Sequence, residues 1–297
     1  MKTTPSRKIF ILLNVLLLTG VSLVCVLPFV NLLAISFSSK RAVTSGLVTF
    51  FPVDFSFTSY IFITKSRAFI QALGVSVVRV LIGVSVNLIL IVLTAYPLSK
   101  TREQFRLRQI FSWFYVITIL FSPGLIPSYM VVRYTGLLDT IWALVLPGAL
   151  PVFSMLVVMN FIRGLPPELE EAAYIDGASH LQSLIRIVLP VSKPTIATVA
   201  LFSFVGHWNS WFDGIIYMKL AEHYPLSSYL RTVVIKPDVF FANTTNANSD
   251  LSLFLELVNA RTTNAAQLFL ATVPILLVYP FLQKYFTSGL VLGSVKG

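Results

Sequence analysis

The chain has 297 residues, of which 56% are hydrophobic and only 11% charged, with a mean hydropathy of +0.82. That balance excludes a soluble globular domain and places the chain in a bilayer. The net charge of +10 is spread over many loops rather than gathered into a basic and aromatic strip, so it points to membrane lipid headgroups and not to nucleic acid.

A hydrocarbon core about 30 Å thick is crossed by about 20 apolar residues of helix. Six segments meet that length, at 9–37, 69–98, 109–132, 138–162, 195–218 and 264–286. The runs are continuous rather than alternating, which excludes barrel strands, and an open sheet has no partners for its edges in lipid. The fold class is therefore all-α, a single polytopic membrane domain over 1–297 with six transmembrane helices.

The first segment follows Lys2, Arg7 and Lys8, as a secretory signal would, but it runs past Pro28 and Asn31 to Phe37 without a small-x-small site. A retained helix is expected. Cys25 within it is the one cysteine of the chain, which leaves no disulfide framework and no thiolate metal site. The stretch that follows, "SSKRAVTSGLVTFFPVDFSFTSYIFITKSR", mixes aromatics with Ser, Thr and Pro52 and is expected to form short pieces over the outer face.

The second segment carries Arg79, and an ionisable group within a span is costly enough to face a cavity or a partner. Three partners are open to it: an acidic sugar, a carboxylate on a second subunit, or a backbone carbonyl at a helix end. After this span the short loop "SKTREQFRLRQ" is dense in Lys and Arg and is expected to be cytoplasmic. With the N-terminus inside, twelve Lys and Arg lie inside against nine outside. Six spans then put both termini, this loop and residues 163–194 on the cytoplasmic side. The third and fourth segments contribute Tyr129, Trp142 and Asn160 as candidates for lining a path.

Residues 163–194, "RGLPPELEEAAYIDGASHLQSLIRIVLPVSKP", form a polar island between two apolar runs. Pro166 and Pro167 end the preceding span and suit the first turn of a new helix, at about 167–176, whose positive end Glu168, Glu170 and Glu171 complement. Gly177 suits a left-handed C-terminal residue, and Ser179 an N-cap for "HLQSLIRIVLP". Pro190 and Pro194 are expected to break the second helix before the fifth span. The result is a helix-turn-helix elbow.

The fifth segment leads into "GHWNSWFDG", where Trp208, Asn209, Trp211 and Asp213 combine stacking faces with hydrogen-bonding groups, a combination that suits sugars. The long segment beyond it, 219–263, contains "KPDVFFANTTNANSD" and is expected to meet an extracytoplasmic partner. No Gly-x4-Gly-Lys-Ser/Thr loop is present, and His180, His207 and His223 are dispersed without a carboxylate set, so neither ATP nor a metal is expected on this chain. Nor is there a nucleophile, base and acid arrangement that would make it an enzyme.

The spacing of the island, Glu171-Ala172-Ala173, three residues, Gly177, nine residues, then Ile187-Val188-Leu189-Pro190, resembles the EAA loop of the membrane subunits of ABC importers. The C-terminal "FLQKYFTSGLVLGSVKG" resembles the tail of carbohydrate permeases of the maltose-transporter type, and "FPVDFSFTSY" in the first outer loop and "TAYPLSK" at the end of the second span resemble other traits of that family. The resemblance covers nearly the whole chain. It departs at 72–78, "ALGVSVV", where relatives commonly carry an Asn-Ser pair.

That resemblance implies a permease of the bacterial cytoplasmic membrane that imports oligosaccharides by alternating access. Its partners would be a second, homologous permease in a heterodimer, two ABC ATPases carrying ATP and magnesium, and an extracytoplasmic solute-binding protein. It also implies that Glu170, Glu171, Ala172, Ala173, Asp176 and Gly177 meet the ATPase. Leu189 and Pro190 would set the return angle, and Ser294, Val295, Lys296 and Gly297 would reach the ATPase interface. An acidic oligo- or polysaccharide, or another solute, is an alternative cargo. A transporter driven by an ion gradient is a different class, and it would need intramembrane acids, of which Asp213 is the one candidate.

Overall fold

A computed structural model of the chain describes residues 5–235 and 259–293. Among the described residues every named element is helical, and the one extended pairing is an isolated bridge between Ser38 and Phe55. The chain divides into two compact units, Met1–Ile70 with Leu230–Val273, and Gln71–Tyr229 with Pro274–Gly297.

In the first unit α1 (Pro5–Ser36) is apolar on every side and leaves residues 6–30 exposed, the pattern of a helix whose solvent is lipid. Two short helices follow, α2 (Lys40–Thr44), capped by the Ser39 hydroxyl on the Ala42 N–H at 3.2 Å, and α3 (Thr58–Lys65). Phe37 stacks on Phe55 and, in α3, on Tyr60, at ring distances of 5.3 and 4.8 Å. The stretch after α1 thus folds as short pieces, as expected. Ile35, Val43 and Ala265 close a small core, the last from α15 (Ala260–Gly293).

The second unit is built on α4 (Arg67–Ser99), whose residues from Gln71 onward belong to it. After it come α5 (Arg108–Leu120), α6 (Leu125–Tyr134), α7 (Ile141–Val145) with a 3-10 turn over Leu146–Gly148, and α8 (Val152–Arg163). Then come α9 (Glu168–Ile175), α10 (His180–Ser183), a π segment over Leu184–Val188 and α11 (Leu189–Val191). The unit continues with α12 (Lys193–Asn209), α13 (Phe212–Tyr217) and the start of α14 (Leu226–Ile235). Its main core gathers Ile91, Ala95, Tyr96, Met155, Val158, Leu184, Val188 and Val199, so α4, α8, the elbow and α12 share one apolar interior.

Among the described residues three helices are long and apolar enough to cross a membrane, and the number reaches six when each bent pair counts as one span. The third, fourth and fifth expected spans are not continuous helices. The third turns by 118° between α5 and α6, where Pro123 removes a backbone donor and Gly124 adopts a positive φ of 80°. The fourth bends by 50° at the residues before α8, where Pro147 and Pro151 stand. The fifth ends as α12 at Asn209 and resumes as α13.

Candidate functional site

The elbow is specified by its own residues. Helix α9 starts directly after Pro166 and Pro167, with Glu168, Glu170 and Glu171 in its first turn. At its end the Gly177 N–H donates to the Tyr174 carbonyl at 3.0 Å and the Ala178 N–H to the Ala173 carbonyl at 2.9 Å, with Gly177 at φ 81°. These are the paired bonds of a Schellman motif, which requires a left-handed residue at that position. Two residues on, Ser179 and Gln182 form a reciprocal capping box, with bonds of 3.3 and 2.8 Å.

Pro190 does not break the second helix. The preceding turn widens into a π segment, with Leu189 N–H donating to the Leu184 carbonyl, and this spares the carbonyl four residues before Pro190 the clash a proline ring brings. The direction changes instead at Ser192, where α12 leaves at 82°.

One side of the elbow is tied to its own bundle. Glu170 forms an ion pair with Lys100, whose ammonium also lies 4.1 Å from the centre of the Tyr96 ring. The Tyr174 hydroxyl lies 3.1 Å from the Tyr96 hydroxyl and 2.9 Å from His180 Nδ1. Burial, reinforced by the Tyr96 hydrogen bond, pushes the Tyr174 phenol up to about 12, so it stays protonated and keeps a proton to donate. Arg163 donates to the Leu98 carbonyl at 2.8 Å. Ala173 is buried in the bundle, so of the residues read as docking contacts it and Glu170 face inward.

The other side is open. Glu171, Ala172, Asp176, Gly177 and Pro190 are exposed and Leu189 is half-buried. Around them stand uncovered apolar side chains, Leu169, Leu181, Ile185 and above all Ile175, which is 86% exposed. Such a cluster on one short segment is an exposed apolar patch of the kind that marks an interaction surface.

A second constellation lies within the bundle. Arg79 is only 2% exposed, and its guanidinium forms an ion pair with Asp213, with Nη1 to Oδ1 at 3.2 Å. It also donates to the carbonyls of Ser210 at 3.1 Å and Leu144 at 3.4 Å. Asp213 further accepts from the Ser210 hydroxyl and the Gly214 N–H, at 2.8 and 2.9 Å. Of the three partners open to Arg79, the carbonyl at a helix end is met, since Ser210 caps α12. The carboxylate is supplied by this chain itself.

Two turns along α4, the Asn87 amide lies 3.3 Å from the Ser203 hydroxyl, and turned to suit its neighbours it accepts from His207 Nε2 at 3.3 Å. Gly83 makes room for that histidine, because a Cβ there would stand 2.5 to 2.7 Å from the imidazole ring. Arg79, Gly83 and Asn87 thus line one face of α4 against Ser203, His207, Ser210 and Asp213, a polar spine inside an apolar bundle. The spacing of four residues along α4 was the available signal, but Gly83, Asn87 and His207 each read as ordinary when taken alone.

The other path residues are not brought together. Trp208 is buried and stacks on Phe204 at 6.1 Å, and Tyr129 stacks on Tyr217 at 6.4 Å. Trp142 and Trp211 are partly exposed, and Asn160 and Asn209 lie on the surface. A cavity of about 460 Å³ opens between the start of α4, the turn before α7 and the segment after α13. Val75 and Val78, from the stretch that departs from the carbohydrate-permease pattern, line it beside Leu144, Met218 and His223. Ser294, Val295, Lys296 and Gly297 lie outside the described residues, as does most of the segment after α14, 236–258. Among the described residues no group of His, Cys, Asp and Glu is placed to hold a metal ion.

Residues 61–212 match the family described as "Binding-protein-dependent transport system inner membrane component". The chain is 38% identical to Protein LplC of Bacillus subtilis over 297 residues, covering all of this chain and 98% of that one. It is 39% identical to the polygalacturonan/rhamnogalacturonan transport system permease protein YtcP of the same organism, over 93% of this chain and 94% of the relative. A chain from the crystal structure of a bacterial ABC transporter involved in the import of the acidic polysaccharide alginate superposes with a TM-score of 0.86 at 30% identity, covering 96% of this chain and 99% of that chain. A second alginate transporter structure shares the fold, with a TM-score of 0.57 at 17% identity. On its sequence match and its helical architecture, the chain belongs to the family of binding-protein-dependent transport system inner membrane components, the permease subunits of ABC importers.

Proposed function

We propose that this permease imports oligosaccharides across the cytoplasmic membrane and is driven by a separate ATPase that docks on the open side of its elbow. The observation that carries this is the division of the elbow. Glu170, Ala173 and Tyr174 are held by the bundle, while Glu171, Ala172, Asp176 and Gly177 stand free beside uncovered Leu169, Ile175 and Leu181. In this reading both termini and the elbow are cytoplasmic. The chain pairs with a homologous second permease, receives cargo from an extracytoplasmic binding protein, and binds neither ATP nor magnesium itself. The tail at 294–297 adds a second contact with the ATPase. The chain is a transport subunit and catalyses no reaction.

An acidic oligosaccharide is the second reading, favoured by two relatives whose names specify polygalacturonan and alginate, both carboxylate-bearing polymers. Arg79 gives it no support, because its charge is already balanced by Asp213. The same pairing argues against a gradient-driven carrier, since Asp213 is held as a structural partner rather than left open to an ion from solution.

The test is transport into vesicles holding the assembled complex. Glu171→Lys is expected to leave membrane insertion intact, weaken ATPase association and abolish ATP-dependent uptake. Uptake that survives ATP depletion and stops when the ion gradient is collapsed would overturn the proposal. Competition between neutral and uronate oligosaccharides decides the cargo.

A further inference from the structure

We infer that Lys100 and Tyr96 are positioning residues that clamp the elbow to α4, making α4 the member that carries a push on the elbow to the break between α12 and α13. This deepens the proposed function and rests on it. The elbow's covalent neighbours are poorly suited to the task. Its link to α8 runs through Gly164, Pro166 and Pro167, and its link to α12 turns by 82° at Ser192. Such breaks absorb displacement by bending.

Helix α4 has no such break. It is one helix of 33 residues from Arg67 to Ser99, and its internal proline, Pro97, lies in the last turn. At the elbow end, Lys100 is held between the Glu170 carboxylate and the face of the Tyr96 ring. The Tyr96 hydroxyl reaches Tyr174 on the same short helix at 3.1 Å, so α9 is gripped at two positions one turn apart. Lys100 and Glu170 are both largely shielded from solvent, which strengthens their attraction over that of an exposed pair. Toward the other end, about 30 Å away at 1.5 Å per residue, Arg79 holds Asp213 and the Ser210 carbonyl at the α12 to α13 break. A single stiff helix therefore joins the docking surface to the broken span, fixed by one ion pair at the elbow and another at the α12 to α13 break.

The experiment compares the whole reconstituted importer carrying Lys100→Ala, Glu170→Gln or Tyr96→Phe with the doubly reversed Lys100→Glu, Glu170→Lys protein. ATPase co-purification, ATP hydrolysis and sugar moved per ATP are measured for each. The single variants are expected to retain the ATPase, because the open side of the elbow is untouched, and to keep hydrolysing ATP. Sugar moved per ATP is expected to fall about tenfold, within the usual range of energetic coupling between sites, and the double reversal is expected to restore most of it. An unchanged ratio in Lys100→Ala and Glu170→Gln would overturn the inference. So would loss of ATPase binding in the single variants without rescue by the reversal, since the pair would then serve only to fold the elbow. If the unaltered chain purifies without any ATPase, the proposed function itself fails before any variant is compared.

Discussion

Arg79 on α4 and Asp213 on α13, 134 residues apart in sequence, form an ion pair in which the arginine is almost fully buried and the aspartate mostly so. The pair bridges the break between α12 and α13, where Ser210 offers Arg79 its carbonyl and Asp213 its hydroxyl. Without its partner the buried Arg79 guanidinium would be left as an uncompensated charge. Removing one partner, by Arg79→Ala or Asp213→Ala, is expected to cost about 3–5 kcal/mol, whereas replacing both with apolar residues of similar volume is expected to recover most of that loss. Thermal unfolding of the purified protein in detergent, followed by light scattering or tryptophan emission, checks both outcomes.

Gly83 is expected to tolerate no larger residue. A Cβ would meet the His207 ring at 2.5 Å, and the ring is held by packing and by Asn87. Gly83→Ala should destabilise the second unit by about 1–3 kcal/mol, the usual cost of overpacking. Adding His207→Ala should relieve the clash. Melting temperatures of the single and double variants decide, and additive losses would contradict the packing argument.

Gly177 poses a different problem, because a side chain there meets nothing within 4 Å and the obstacle is the positive φ alone. Gly177→Ala is expected to cost about 1–2 kcal/mol of left-handed strain. Asn should be tolerated better than Ala, and Val should be worst. Uptake should fall in the same order, more steeply for the bulky residue because this position lies on the exposed side of the elbow proposed to dock the ATPase. Parallel measurements of melting temperature and transport separate strain from obstruction.

Asp139 sits in the turn before α7 at a positive φ of 65°, and one of its oxygens accepts from His223 Nδ1 at 3.0 Å and from the Lys219 N–H at 2.9 Å. The His223 hydrogen bond, aided by the Lys219 N–H, holds this carboxyl below the usual carboxylate range against a weaker opposing effect of burial. A carboxyl lowered in the folded state contributes stability that is complete above its unfolded pKa of about 3.9 and is lost as pH falls through the folded value. The unaltered chain should therefore lose melting temperature below about pH 4 more steeply than Asp139→Asn, which has no carboxyl to protonate. Parallel acid limbs in the two proteins would refute this.

Much of the architecture was legible in the residues because lipid imposes a simple length and polarity rule. The long apolar runs became α1, α4 and α15, and the elbow followed local chemistry in which Gly177 and Ser179 each act on neighbours within a few positions. Short-range rules served less well where an apolar run was long enough but bent. Pro123 and Gly124 divide the third segment by an angle that composition does not reveal. At Pro190, widening of the preceding turn overrode the expected break.

The sequence by itself determined the membrane class, the helical fold and the local form of the elbow, because burial in lipid and helix capping act through residues close together in the chain. Only the tertiary structure decided that Glu170 is engaged by Lys100 while Glu171 is exposed, and that Arg79 is answered by Asp213 rather than by cargo or a second subunit. Identical residue types at adjacent positions are distinguished by which face of a helix meets the bundle. A charge within a span, likewise, takes its partner from whichever helix folding brings alongside it.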